Sequence, residues 1–276
     1  MLVLGGIASV QIGAAVATTL FDEVGPGGTV FLRCGFSALL LLAIWRPLWR
    51  GHERPALRDV AFFGLVLAAM NLSFYEALER IPLGIAVTLE FVGPLGVAIL
   101  RSRRRLDLVW AGLAAAGIVL LSPVPGGDLD ALGAGLALLA GAFWAAYIVL
   151  SARVGREFAG GTGLAIAMTI SAVVLIPVGA IEGGAELLDV SLLAGGAAVA
   201  VLSSAIPYSL ELEALRRLPE GVFGILMSLE PAVASLIGFV GLEQGLSGRE
   251  VAAIGLVLVA SLGALGGSGE PRAAEA

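Results

Sequence analysis

The chain has 276 residues, 58% of them apolar and 14% charged, with a mean hydropathy of +0.99. A soluble domain carries about 25% charged residues, so this composition excludes one and leaves little mass for a catalytic domain outside a membrane. The 22 acidic residues outnumber 16 basic ones, all arginine, for a net charge of -6, which argues against nucleic acid as a partner.

A helix needs about 20 mainly apolar residues to cross about 30 Å of hydrocarbon. Apolar runs bounded by charge, Gly or Pro predict ten such helices. The first five run from Leu2 to Leu20, Thr29 to Trp49, Val60 to Leu78, Pro82 to Leu100 and Leu108 to Ser122. The second five run from Leu129 to Ser151, Thr162 to Ile181, Leu188 to Leu210, Glu220 to Val240 and Arg249 to Gly266. The first run lacks a basic leader region and more spans follow it, so it reads as helix one rather than a signal peptide. The fold class expected is an all-α integral membrane protein of ten transmembrane helices with short links.

Cytoplasmic loops retain arginine during insertion, so alternate loops should be rich and poor in it. Arg46, Arg50, Arg54 and Arg58 follow helix two, and Arg101, Arg103, Arg104 and Arg105 follow helix four. Arg153 and Arg156 follow helix six, Arg216 and Arg217 follow helix eight, and Arg272 lies in the tail. The opposite loops hold only Arg80 and Arg249, with Asp22, Glu23, Asp128, Asp130, Glu182, Glu186 and Asp189. The alternation supports an even number of spans and predicts both termini on the cytoplasmic side.

Sliding the chain against itself by 137 positions pairs the stretch from Glu76 to Gly84 with that from Glu213 to Gly221, identical at six of nine positions, and brings Pro94 onto Pro231. Such a match of Glu, Arg and two prolines in register points to duplication. Five helices per copy is an odd number, so the second copy enters the membrane upside down, the plan of many secondary transporters. Glu79 on the outer side then becomes Arg216 on the inner side. The repeats are expected over residues 1 to 124 and 125 to 276, with a substrate site near the midplane where they meet.

Glu90 falls near the middle of helix four and Glu230 near the middle of helix nine. A carboxylate at that depth costs at least about 2.5 kcal/mol on insertion scales. Two readings stand for each: a hydrogen-bonded carboxyl that ties helices together, or a group that handles substrate or protons. Pro94 and Pro231 lack an N–H and free the carbonyls of Glu90 and Met227, so both helices should offer kinked polar backbone, tolerable only where it lines protein or water. Pro177 reads as a packing kink, and Pro207, followed by Tyr208 and Ser209, is intermediate between the two. Arg33, about one turn into helix two, either snorkels to the interface or pairs with Glu90 or a substrate carboxylate. Asn71 and Tyr75 share a face of helix three, and with Gln11, Trp144, Tyr147 and Tyr208 they form a set of polar or amphipathic groups. Trp45 and Trp49 fit the interfacial belt, whereas Trp144 and Tyr147 fit belt and cavity equally.

One cysteine, Cys34, and one histidine, His52, leave no disulfide framework, no Cys-based metal site and no His cluster within one chain. No phosphate loop, no GxSxG elbow and no aspartate-rich metal motif is present, so ATP-driven transport and nucleophilic catalysis lack their parts. An intramembrane enzyme would need a dyad or ligands at membrane depth, and a purely structural membrane protein should lack midplane charges. The arginine cluster from Arg101 to Arg105 is explained by topology. The many Gly and Ala in the helices suit close packing, which permits a monomer or a homodimer.

The stretches from Pro82 to Val87, from Leu89 to Phe91 and from Gly93 to Leu95 resemble the EamA branch of the drug/metabolite transporter superfamily. So do Ser102, Arg103 and Arg104 with Asp107 and Trp110, the stretch from Trp144 to Ile148, that from Pro207 to Glu211, and Met227, Ser228 and Glu230 to Ala232. The resemblance covers nearly the whole chain. One departure is the amino terminus, which begins almost at the first helix where the resembled exporters have a short leader. It implies a bacterial inner-membrane location, alternating access around a central cavity, no cofactor, and efflux of small amino acids of the threonine and homoserine kind, coupled to protons. Larger aromatic, nucleotide-like or drug-like cargo is the alternative. The residues expected to meet the substrate are Glu90, Arg33, Asn71, Tyr75, Gln11, Trp144, Tyr147, Tyr208, Ser209 and Glu230.

Overall fold

A computed structural model describes residues 2–47, 53–101, 106–121, 129–207, 210 and 229–266. Among these no strand occurs; the elements are helices. In chain order they are α1 (Leu2–Thr18), α2 (Phe21–Trp45), α3 (Arg54–Leu78), α4 (Leu83–Glu90), α5 (Val92–Arg101) and α6 (Leu106–Leu121). There follow α7 (Ala131–Glu157), α8 (Thr162–Gly183), a 3-10 turn (Gly184–Leu188), α9 (Val190–Ala200) with a π turn (Val201–Ala205), α10 (Glu230–Gly241) and α11 (Gly248–Gly266).

Four of the described segments are long and apolar enough to cross a membrane: Phe21–Trp45, Arg54–Leu78, Ala131–Glu157 and Thr162–Leu188. At 1.5 Å per residue, the 27 residues of α7 run about 40 Å, more than the hydrocarbon thickness. Their outward faces carry the apolar side chains expected against lipid, among them Leu39, Ile44, Phe62, Val173 and Ile176, all exposed. Shorter apolar helices accompany them at Leu2–Thr18, Leu83–Val97, Val190–Ala205 and Glu230–Gly241.

Helix two was expected from Thr29. The structure starts α2 at Phe21 and interrupts it at Gly25, whose φ of 68° and ψ of 169° are not helical. Pro26 then opens the main helix, its fixed φ and missing N–H suited to a first turn. The next amide, that of Gly27, donates to Glu182 Oε2 of α8 at 2.6 Å. Gly25 and Gly27 leave that carboxylate room, since a Cβ on either would come within 2.6 Å of it. The earlier start puts Arg33 seven residues, about two turns, inside the main helix rather than one.

The fourth predicted helix is broken in two. Glu90 ends α4, Phe91 turns, and α5 begins at Val92. Pro94 withholds the amide that Glu90's carbonyl would have bonded. All eight residues of α4 are buried, so this short helix is held by neighbours rather than by its own length. Pro82 precedes it with no side-chain cap, and the Gln244 side-chain carbonyl, from the link between α10 and α11, accepts the Leu83 amide at 2.9 Å.

The helices pair as α2 with α8, α3 with α7 and α8, α6 with α11, and α4 with α10 and α7. On the other side of the molecule α1 packs on α9, its π turn and α10, and α9 on α2. Asp130 caps α7 through the Gly133 amide. Asp189 caps α9, and the Ser191 hydroxyl with the Ser191 and Leu192 amides holds its carboxyl below the usual carboxylate range. The paired stretch from Glu213 to Gly221, the residues Tyr208 and Ser209, and Arg103 to Arg105 lie outside the described residues.

Candidate functional site

The break between α4 and α5 meets α7 where both chains have no side chain. A Cβ on Gly93 would stand 1.8 Å from the carbonyl oxygen of Gly141, and one on Gly141 would stand 2.5 Å from that of Glu90. Only glycine lets the two backbones approach so closely. The contact fixes α7 against the carbonyl that Pro94 frees. One turn further along α7, Trp144 meets the Phe91 ring edge-on at 5.9 Å between centroids.

Beside this contact lies a cavity of about 230 Å³. Its polar wall is built by Gln11 of α1, Arg33 of α2, Asn71 of α3, Glu90 of α4, Ser203 of the π turn and Glu230 at the start of α10. Trp144 and Tyr147 of α7, with Val10, Met70, Phe74 and Val87, complete it. Seven of the ten residues expected at the site therefore line one cavity. Tyr75 does not; it is fully buried and stands behind Arg33. Tyr208 and Ser209 lie outside the described residues.

Arg33 is turned inward. Its guanidinium carbon lies 5.5 Å from the centre of the Tyr75 ring, within the range of a cation–π contact of about 0.5 to 2 kcal/mol. Its Nη1 donates to the Tyr75 hydroxyl at 3.4 Å. Arg33 and Glu90 line the same cavity. A partly buried guanidinium held over a ring is a fixed cation on the cavity wall, in contrast to a side chain reaching for the interface. Asn71 spends one amide hydrogen on the Leu67 carbonyl at 2.8 Å, which steadies the rest of its amide.

The opposite wall is set by α1. Ser9 Oγ donates to the Leu202 carbonyl at 2.7 Å, a carbonyl of the π turn. Such turns widen the backbone and recur at functional sites. Gly13 leaves space for Ser203, whose Oγ would lie 2.4 Å from a Cβ there, and Ser204 shares a 2.9 Å hydrogen bond with Ser37 of α2. Ser203 was not anticipated; the signal was the Ser203 and Ser204 pair inside an otherwise apolar run.

A second cavity, of about 190 Å³, lies toward the far end of α7 among Phe63, Ser151, Val154, Phe158 and Leu164. Tyr147 borders both cavities, with its ring 5.3 Å from that of Phe63. Among the described residues no three His, Cys, Asp or Glu side chains converge as a metal site. Cys34 is buried in the apolar core. The chemistry on offer is recognition rather than bond breaking: one fixed cation, two carboxylates and several neutral hydrogen-bonding groups around a small space.

The EamA-like transporter family model matches residues 1–122 and 131–266. The chain is 43% identical over 267 residues to the threonine/homoserine exporters RhtA of Salmonella typhimurium and Escherichia coli K12, covering 95% of this chain and 90% of each relative. It is 29% identical over 211 residues to Protein PecM of Dickeya dadantii, 71% of this chain and 70% of that one. A solved crystal structure superposes with a TM-score of 0.63 at 19% identity over 95% of this chain and 96% of the other, a likeness of fold.

Proposed function

The chain belongs to the EamA-like transporter family, and from that premise we propose that it exports threonine, homoserine and similar small polar amino acids across the bacterial inner membrane. The observation that carries this reading is the charge arrangement of the central cavity: Arg33 on one helix, Glu90 and Glu230 on two others. A zwitterionic amino acid needs one cation and one anion at its two ends. Arg33 receives the substrate carboxylate, Glu90 the ammonium. The remaining carboxylate, Glu230, is then the group in excess and carries the coupling proton.

Size favours a small cargo over the larger alternatives. The cavity encloses about 230 Å³. Threonine and homoserine each have eight non-hydrogen atoms, whereas pockets for drug-sized ligands run from about 300 to 1,000 Å³. The names of the 43% identical relatives point the same way. Tyr147, between the two cavities, is read as the partition between the central site and an inner vestibule.

The finer architecture is also a proposal: ten spans in two inverted repeats, residues 1 to 124 and 125 to 276, with both termini cytoplasmic. The helix pairings support it. Counting α4 and α5 together as the fourth span, exchanging each span for its counterpart five places on maps the α2 and α8, α6 and α11, and α4 and α10 pairs onto themselves. The same exchange turns the α3 and α7 pair into the α9 and α1 pair, and α4 with α7 into α10 with α1, all of which occur. The two matched stretches of the family model fit the same division. Alternating access then follows as rocking of one repeat against the other around a midplane site.

The experiment is uptake of labelled amino acids by inside-out vesicles or proteoliposomes of the purified protein, with and without a proton gradient. Transport of threonine and homoserine, driven by the gradient and lost in Glu90→Gln protein that inserts normally, is expected. Indifference to both amino acids, with uptake of aromatic or nucleotide-like compounds, would favour the larger-cargo alternative.

A further inference from the structure

Arg33 and the carboxylates account for the two charged ends common to every amino acid. They say nothing of the side chain. Gln11, Asn71 and Ser203 are the neutral polar groups left on the wall, and of these Gln11 is 3% exposed with a side-chain carbonyl that makes no hydrogen bond among the described residues. A buried acceptor without a partner is unfavourable and calls for a donor. Nor is Gln11 needed to seat its own helix. Ser9, through the Leu202 carbonyl, and Gly13, through its closeness to Ser203, already fix α1 against the π turn on either side of it.

We propose that Gln11 reads the side-chain hydroxyl of the substrate, its carbonyl accepting the hydroxyl proton, so that hydroxylated amino acids are preferred over apolar ones of the same size. This rests on the reading of the cavity as an amino-acid site. An acceptor matches the O–H of threonine or homoserine, whereas a methyl group at that place would leave the carbonyl unpaired. The flexible stem of glutamine lets one amide serve hydroxyls on either Cβ or Cγ. Ser203, on the same cavity, adds a hydroxyl that both donates and accepts.

Removing the hydroxyl from threonine or from homoserine gives the same compound, 2-aminobutyrate, which keeps both charged ends. The test is the ratio of threonine to 2-aminobutyrate transport, compared at equal amounts of inserted protein for wild type and Gln11→Met, which preserves length and removes the amide. The ratio should fall about tenfold, the worth of one neutral hydrogen bond. Gln11→Asn, a milder change that withdraws the amide by one methylene, should move it the same way and serves if Gln11→Met does not insert. A ratio unchanged in the variants, or equal loss of both substrates, would overturn the proposal; equal loss would assign the carbonyl to the ammonium shared by both. Absence of threonine transport in the wild type would instead defeat the amino-acid reading itself.

Discussion

Gly93 and Gly96 lie one turn apart on α5, yet replacing them with alanine should have opposite effects. A Cβ on Gly96 meets nothing within 4 Å, while one on Gly93 would stand 1.8 Å from the Gly141 carbonyl oxygen. An ordinary carbon to oxygen contact is about 3.3 Å or more, so Gly93→Ala must push α5 and α7 apart by about 1.5 Å. The obstacle is backbone, which cannot rotate away. Overpacking of this kind costs about 1 to 3 kcal/mol, and a backbone obstacle belongs at the upper end. Alanine gains about 1 kcal/mol of helix propensity over glycine, leaving a net loss of about 2 kcal/mol for Gly93→Ala and a gain for Gly96→Ala. At about 2 to 4 °C per kcal/mol for chains somewhat shorter than this one, the thermal midpoint in detergent should fall by about 4 to 8 °C in the first variant and hold or rise in the second. Because Gly93 and Gly141 also position the Glu90 carbonyl, transport should fall in Gly93→Ala and persist in Gly96→Ala. Equal stability and equal transport in the two variants would show that the break in the fourth helix is not seated on α7.

Three further outcomes are expected. Arg33→Lys, which replaces a planar fork with a point charge, should raise the KM for threonine about tenfold or more, and Tyr75→Phe, which keeps the ring but removes the hydroxyl, should raise it less; equal effects would show that the guanidinium fork contributes no more than the Tyr75 hydroxyl that holds it. Gln244→Ala removes the acceptor for the Leu83 amide and should cost about 1 kcal/mol of stability without changing the order of substrate preference, as read by thermal unfolding beside competition uptake. Tyr147→Ala opens the partition between cavities of about 230 and 190 Å³, so phenylalanine should compete with threonine in the variant and not in the wild type.

Composition and the spacing of arginine were enough to read an all-helical membrane protein, because hydrocarbon forces backbone groups to bond within a segment and insertion sorts arginine by side. The same cost of burying charge singled out Glu90, Glu230 and Arg33 from 38 charged residues. What was not legible depended on contacts between distant segments. The main segment of α2 begins at Pro26 rather than Thr29, where Glu182, 155 positions away, receives the Gly27 amide. The break at Phe91 was foreshadowed by Pro94, but its partner Gly141 was one glycine among 39. Tyr75 shares a face with Asn71, as its spacing required, yet it serves Arg33 instead of the cavity. Ser203 was passed over because a serine in an apolar helix ordinarily bonds its own backbone, and the π turn that brings it to the wall has no signature in composition.

The reading of this protein stands most directly on one comparison: uptake of labelled threonine by proteoliposomes carrying the wild type or Glu90→Gln, with a panel of unlabelled amino acids as competitors. Threonine and homoserine should compete in the wild type, tryptophan and phenylalanine should not, and the variant should insert normally yet transport nothing. Full threonine transport by Glu90→Gln, or a wild type indifferent to threonine and homoserine, would contradict it.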